Sequence, residues 1–393
     1  MDRPHAIIIG AGFTGCALAH DLALRGFSVT VVERGELTSG TSGRTHGLLH
    51  SGGRYCVNDR EAAIECIDEN ILLRKIAKQC IEFNGGLFIA LTDADEAYAG
   101  PFAEGAQACH IPIEQLTQAQ VLKLEPAVNP NVRMAFSVPD GAFDPLRLAL
   151  AFAASAAKNG ARFHAYTQVE DLVMDGQGKV SGVEVWDRAN DKRYQLRGDI
   201  IVNATGAWAG EIAKMADLHV PVVPTPGVMV AYNQRMIQRV VNRLAPPGDG
   251  DILIPQRRMM CIGTTSFTVQ DIDYIPVLDD QVEEMHRSAM ELVPGVRDTQ
   301  ERGAWMSARP LIGKMEPGRS MSRTFIAIDH KEKDGVAGLV TITGGKATTC
   351  RAMAEKTADT VCRNLGLSIA CQTKDVVLES YRAFYRYNQE SRP

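Results

Sequence analysis

The stretch GRTHGLLHSGGRYC, residues 43–56, places four glycines, two histidines and an Arg-Tyr pair within fourteen positions. Glycine allows backbone to approach a flat ligand closely, and imidazole is a base or donor near neutral pH. A guanidinium offers a planar fork for an anionic group. Such a loop is suited to running along a ring cofactor and closing an anion pocket over it. Two further segments carry similar chemistry. Thr343-Gly344-Gly345-Lys346 opens a helix, whose N-terminal amides favour negative charge. Asn203-Ala204-Thr205-Gly206 ends an apolar strand in small residues, the position where ligands lie in doubly wound sheets.

The element that must position these groups is at the start of the chain. Gly10-Ala11-Gly12-Phe13-Thr14-Gly15 fits GxGxxG between a strand over 6–9 and a helix over 13–24. Glu33 closes a second strand, over 27–32. The first glycine makes the tight turn, the second lets backbone reach a pyrophosphate, and the third permits helix–strand packing. Glu33 would accept from ribose hydroxyls, and an acid there disfavours a 2′-phosphate. FAD is expected over NAD, because the 43–56 loop interrupts what would otherwise be another βαβ unit. The helix end at Gly344-Gly345-Lys346 also suits the pyrimidine edge of a flavin. Along the cofactor the sequence places Gly10, Gly12, Gly15, Glu33, Thr41, Ser42, His46, Gly47, Ala204, Gly206, Gly344, Gly345 and Lys346.

The rest of the pattern gives the scaffold. Charged and aliphatic residues alternate at helical spacing over 58–80. Asp144 caps a helix over 144–159, with Pro145 in its first turn and Gly160 beyond. Residues 161–174 and 179–187 read as strands, and 200–210 as an apolar strand ending in a turn. From 218 to 330 strand-like runs dominate (VMVAY, ILIPQ, MMCIGTT, FIAID), with one helix near 279–292. The expected fold is α/β plus α+β: a doubly wound, Rossmann-like FAD domain with an inserted β-rich substrate cap, as in D-amino-acid oxidase. The boundaries assign 1–85, 143–215 and 335–375 to the FAD domain, 86–142 and 216–334 to the cap, and 376–393 to a C-terminal tail. Tyr381, Phe384 and Tyr385 sit at helical spacing in that tail, which is expected to lie on its own domain.

Net charge is −5 over 393 residues, so no global field points to nucleic acid, and any cationic site is local. The nine cysteines include no CxxC pair, so no metal site is expected and a cytoplasmic setting is. No apolar run reaches membrane-spanning length. Membrane association is expected to be peripheral at most, at the inner face of the cell membrane. Cys16, Trp208 and Trp305 read as packing residues.

Taken together, IIIGAGFTGCALAHDLALRG, GRTHGLLHSGGRY, ILIPQ with IGTTS, SARPLIG and TITGGKATT resemble the FAD-dependent glycerol-3-phosphate dehydrogenase family, most nearly its anaerobic-type catalytic subunit. The likeness covers residues 5–375. It implies oxidation of sn-glycerol 3-phosphate to dihydroxyacetone phosphate by hydride transfer to flavin N5, with electrons passed to quinone or a partner subunit. Carried over motif by motif, it implies that Arg54, Tyr55, Arg309 and Lys346 hold substrate. Pro226 stands where the family has a lysine. The anaerobic subunit's cysteine-rich iron–sulphur domain has no counterpart in this sequence. His50 is the expected base, with His46 second, and Arg309 would stabilise a developing alkoxide as well as bind phosphate. The competing readings are a flavin oxidase or dehydrogenase for another small anionic substrate (a 2-hydroxy acid, amino acid or phosphonate), and a non-catalytic flavoprotein subunit of an electron-transfer complex.

Overall fold

Apolar residues fill the strands His5–Ile9, Ser28–Val32, Ile200–Asn203 and Leu339–Gly344, and both faces of these strands are buried. Alternation explains how. Ala6, Ile8, Val29, Val31, Val202 and Ile342 face one hydrophobic cluster, whereas Ile7, Ile9, Val32, Ile201 and Leu339 face another. In this computed structural model, which describes residues 3–269, 271–313 and 324–390, they belong to a six-stranded sheet. Its order is Phe325–Asp329, Leu339–Gly344, Ile200–Asn203, His5–Ile9, Ser28–Val32, Arg162–His164. All neighbours are parallel except Phe325–Asp329, which runs antiparallel on the edge.

The helices Phe13–Leu24, Pro145–Lys158 and Cys350–Asn364 cover the first face. A three-stranded antiparallel sheet, Thr167–Met174, Val180–Asp187 and Lys192–Arg197, covers the second through Val169, Leu172, Val183 and Val185. Chain order reverses across His5–Ile9, so a crevice opens at the carboxyl ends of the central strands.

A second sheet has eight strands, in the order Glu301–Ile312, Val222–Tyr232, Met259–Gly263, Ile252–Gln256, Val240–Arg243, Gly86–Ala90, Met134–Val138, Glu114–Thr117. It takes strands from both sequence segments expected to form the cap. The two are joined by parallel pairing of Val240–Arg243 with Gly86–Ala90. Helix Asp279–Leu292 seals one face through Met285, Ala289 and Leu292. The architecture is thus the expected doubly wound unit with an inserted β-rich layer.

Several boundaries differ from expectation. The run over 161–174 is two strands in different sheets, split at Tyr166, whose φ of 54° turns the chain. The helix expected over 58–80 is Arg60–Ile76, capped by Asp59, followed by a short 3-10 turn. Phe325–Asp329, assigned to the cap, pairs instead with Leu339–Gly344 in the nucleotide sheet. Glu301–Ile312, not read as a strand, forms a long edge strand in which Pro310 is tolerated. The tail helix Phe384–Glu390 packs on Pro145–Lys158. There Phe384 is buried, edge-on to Phe163 at 5.3 Å.

Candidate active site

At the crevice the chain turns at Gly10, whose φ is +101° and whose absent Cβ would lie 2.9 Å from the carbonyl oxygen of Ala204. Only glycine fits that approach. A Cβ on Gly12 would sit 2.8 Å from Ser42 Oγ, the group that accepts from the first helical amide, Phe13 N, at 3.0 Å. Gly15 has another task. Its Cβ would collide with Gly10 O at 1.9 Å, so it sets helix–strand packing and does not line the cavity. Glu33 is fixed by backbone: Oε2 accepts from Ala11 N at 2.9 Å and Oε1 from Gly35 N at 3.0 Å. Each oxygen keeps a lone pair for a ligand hydroxyl.

A cavity of about 810 Å³ runs from this turn to the second sheet. Gly10, Gly12, Glu33, Thr41, Ser42, His46, Ala204, Gly206, Gly344, Gly345 and Lys346 line it, with His50, Arg54, Tyr55 and Arg309. Gly344 and Gly345 leave the strand at positive φ. Their missing side chains make room for Ile312 and Met353, at 2.3 and 2.5 Å from the would-be Cβ atoms.

The far end gathers ionisable groups that are remote in sequence. The His50 ring lies 5.4 Å from the Tyr55 ring and 6.5 Å from that of His46, centroid to centroid. Lys346 Nζ stands 4.9 Å above the Tyr55 ring. The backbone of His50 is held on both sides, its N–H on Thr348 Oγ1 at 3.1 Å and its carbonyl by Asn70 Nδ2 at 3.0 Å. Leu48 N donates to His46 Nδ1 at 3.2 Å, and burial, then Arg54 and Arg309, push that imidazole down to about 4. His46 is therefore a neutral ring that carries its proton on Nε2. Arg309 donates through Nη1 to Thr264 Oγ1 at 2.7 Å and through Nη2 to Thr265 O at 2.9 Å. Its Nη2 also reaches Pro226 O and its Nε reaches Thr225 O, both at 3.1 Å. At Pro226, where the resembling family has a lysine and this chain has none, the backbone thus contributes a carbonyl that braces Arg309.

Besides Gly15, three positions depart from the sequence reading. Gly47 does not line the cavity. Its φ of +78° and the nearness of Phe143 O, 2.4 Å from a would-be Cβ, make it a packing glycine. Trp208, read as packing, lines the cavity. Its ring carries the Arg34 guanidinium at 4.5 Å, and its Nε1 donates to Asp273 at 2.8 Å. Arg54 is tied to Asp251 at 2.5 Å, a partner the sequence reading did not find. It also missed Gln256, whose Nε2 bridges His46 O and Phe143 O at 2.9 and 3.1 Å. The IGTTS motif carried a signal for Thr264 and ILIPQ one for Gln256; nothing local marked Asp251.

A family model described as FAD dependent oxidoreductase matches residues 5–360. The chain is 42% identical to subunit A1 of anaerobic glycerol-3-phosphate dehydrogenase from Haloferax volcanii, over 97% of this chain and 67% of that protein. It therefore spans about two thirds of that relative's length. Among solved structures, glycine oxidase from Geobacillus kaustophilus superposes with a TM-score of 0.77 at 22% identity, covering 96% of this chain and 99% of that one. Glycerol-3-phosphate dehydrogenase from Bacillus halodurans complexed with FAD gives 0.73 at 25% identity, covering 99% and 71%.

Proposed function

This chain belongs to the FAD dependent oxidoreductase family, and from that premise we propose that it oxidises sn-glycerol 3-phosphate to dihydroxyacetone phosphate. The cavity residues fit the cofactor: the cradle at Gly10 and Gly12 is one that a Cβ would fill. Glu33 offers acceptors to a ribose, and Gly344, Gly345 and Lys346 would border the flavin ring. When bound, the flavin supplies the acceptor for the two electrons lost by the carbinol carbon.

The observation that carries the substrate reading is the convergence of Arg54, Arg309 and Lys346 with His50 and Tyr55 at one end of the cavity. Three cations around an aromatic and a base suit a small dianion that bears an oxidisable hydroxyl. Arg309 and Arg54 orient the phosphate through rigid donors. His50, its backbone locked by Thr348 and Asn70, takes the hydroxyl proton. His46 is better placed as a neutral donor through Nε2 than as the base, since its other nitrogen already accepts from Leu48 N. Reoxidation falls to a partner electron-transfer subunit or a quinone, in keeping with the subunit naming of the Haloferax volcanii relative.

The test is an anaerobic visible spectrum of the purified holoprotein before and after sn-glycerol 3-phosphate. Prompt bleaching of the flavin band is expected. A band that stays oxidised with this substrate but bleaches with an amine or a 2-hydroxy acid would overturn the substrate assignment.

A further inference from the structure

Asp251 lies directly behind Arg54 at the substrate end of the cavity. Its Oδ2 accepts from Arg54 Nη1 at 2.5 Å and from Gly248 N at 2.8 Å, while Arg54 Nη2 donates to Gly248 O at 3.0 Å. The two side chains are 8% and 10% exposed. The other carboxylate oxygen, Oδ1, is buried and accepts no hydrogen bond among the described residues. Stability does not account for this arrangement. Buried ion pairs are commonly matched by apolar side chains of similar volume, and a buried acceptor without a donor costs free energy. Its neighbours give the alternative. Asp251, Arg54 and Arg309 all act on His46, so the three charges share one low-dielectric cluster.

We infer that Asp251 is the internal counter-ion of the anion pocket, which weakens its hold on a phosphate so that product can leave. The inference rests on the reading of Arg54 as an anion ligand given above. Substrate and product carry the same phosphate, so cations that bind it bind both equally and accelerate nothing in the chemical step. A fixed carboxylate on Arg54 trims that shared attraction. It leaves the guanidinium in place, because the same carboxylate positions it. Asp251 acts through Arg54 and is a positioning residue.

The experiment titrates the FAD-loaded enzyme with sulfate, a dianion across the neutral range, at constant ionic strength, following the flavin spectrum. Asp251→Asn keeps an acceptor for Arg54 and Gly248 but removes the charge. It should bind sulfate at least about fivefold more tightly, lower KM for sn-glycerol 3-phosphate in parallel, and leave kcat equal or reduced. Adding Arg54→Gln should abolish the gain. Asp251→Ser provides a second neutral variant should the asparagine form fold poorly, with thermal melts of both as the check. Unchanged or weaker sulfate binding in folded neutral variants overturns the counter-ion role alone. Wild-type sulfate affinity in Arg54→Gln by itself overturns the reading of Arg54, and this inference with it.

Discussion

Arg309 ties its own strand to two other segments, since its donors reach Thr225 and Pro226 on one and Thr264 and Thr265 on the other. Arg309→Ala should lower kcat/KM for sn-glycerol 3-phosphate by about 2–4 kcal/mol of transition-state binding, with FAD content retained. Steady-state kinetics at wild-type level would remove it from the pocket. His50→Asn should retain FAD and lose about 10²- to 10⁴-fold in turnover, the range of a general base. Loss of FAD from that variant would show instead that the ring serves cofactor placement. At this scale the sequence was informative wherever a residue type recurred inside a motif. Arg54, Tyr55 and Lys346 stand beside glycines that betray a ligand. Asp251 was invisible, because it ends a Pro-Gly-Asp-Gly-Asp run where acids are ordinary, and its meaning comes from Arg54, 197 positions away.

Helices and strands were legible to different degrees, for physical reasons. Pro145–Lys158 announces its start through Asp144 accepting from Arg147 N and the proline at its first turn, and its end through Gly160 at positive φ. Phe325–Asp329 announces only that it is apolar; which sheet it joins depends on Leu339–Gly344 alongside. Within helix Phe13–Leu24, His20 is fully buried with neither ring nitrogen hydrogen-bonded among the described residues, and burial pushes it down to about 4. As pH falls through 6.5 the unfolded chain takes up this proton before the folded one. Stability is therefore intact above 6.5 and is lost toward 4. His20→Leu should remove about 2 kcal/mol of acid sensitivity at pH 5 relative to pH 7, measured by urea unfolding at both pH values; identical pH slopes in the two proteins would contradict this. Between helices, Arg351 and Glu69 pair at 2.5 Å, 2% and 4% exposed. Arg351→Met should cost about 3–5 kcal/mol in the same assay by stranding a buried acid. Adding Glu69→Leu should recover much of it.

Both large sheets wall the cavity: Gly10, Glu33, Ala204 and Gly345 from one side, Met229, Ile252, Ser307 and Arg309 from the other. FAD binding should therefore stabilise the two together, by about 2.7 kcal/mol at a hundredfold excess over Kd. Trp305 belongs to the eight-stranded sheet and donates to Arg44 O at 2.8 Å. With Trp186 and Trp208 replaced by phenylalanine, its fluorescence should shift its denaturation midpoint with FAD as far as circular dichroism does; a midpoint that ignores FAD would uncouple the sheets. The order of the six-stranded sheet has a consequence for synthesis. Leu339–Gly344 sits inside that sheet, between Ile200–Asn203 and Phe325–Asp329, and Lys346 follows directly after it. A growing chain can fold its GxGxxG turn as soon as the first strands emerge, but a wall of the cavity is missing until more than three hundred residues have been made. Completion of the cofactor pocket must therefore wait until late in synthesis, and a nascent chain arrested before residue 339 would lack the wall that Gly344, Gly345 and Lys346 supply.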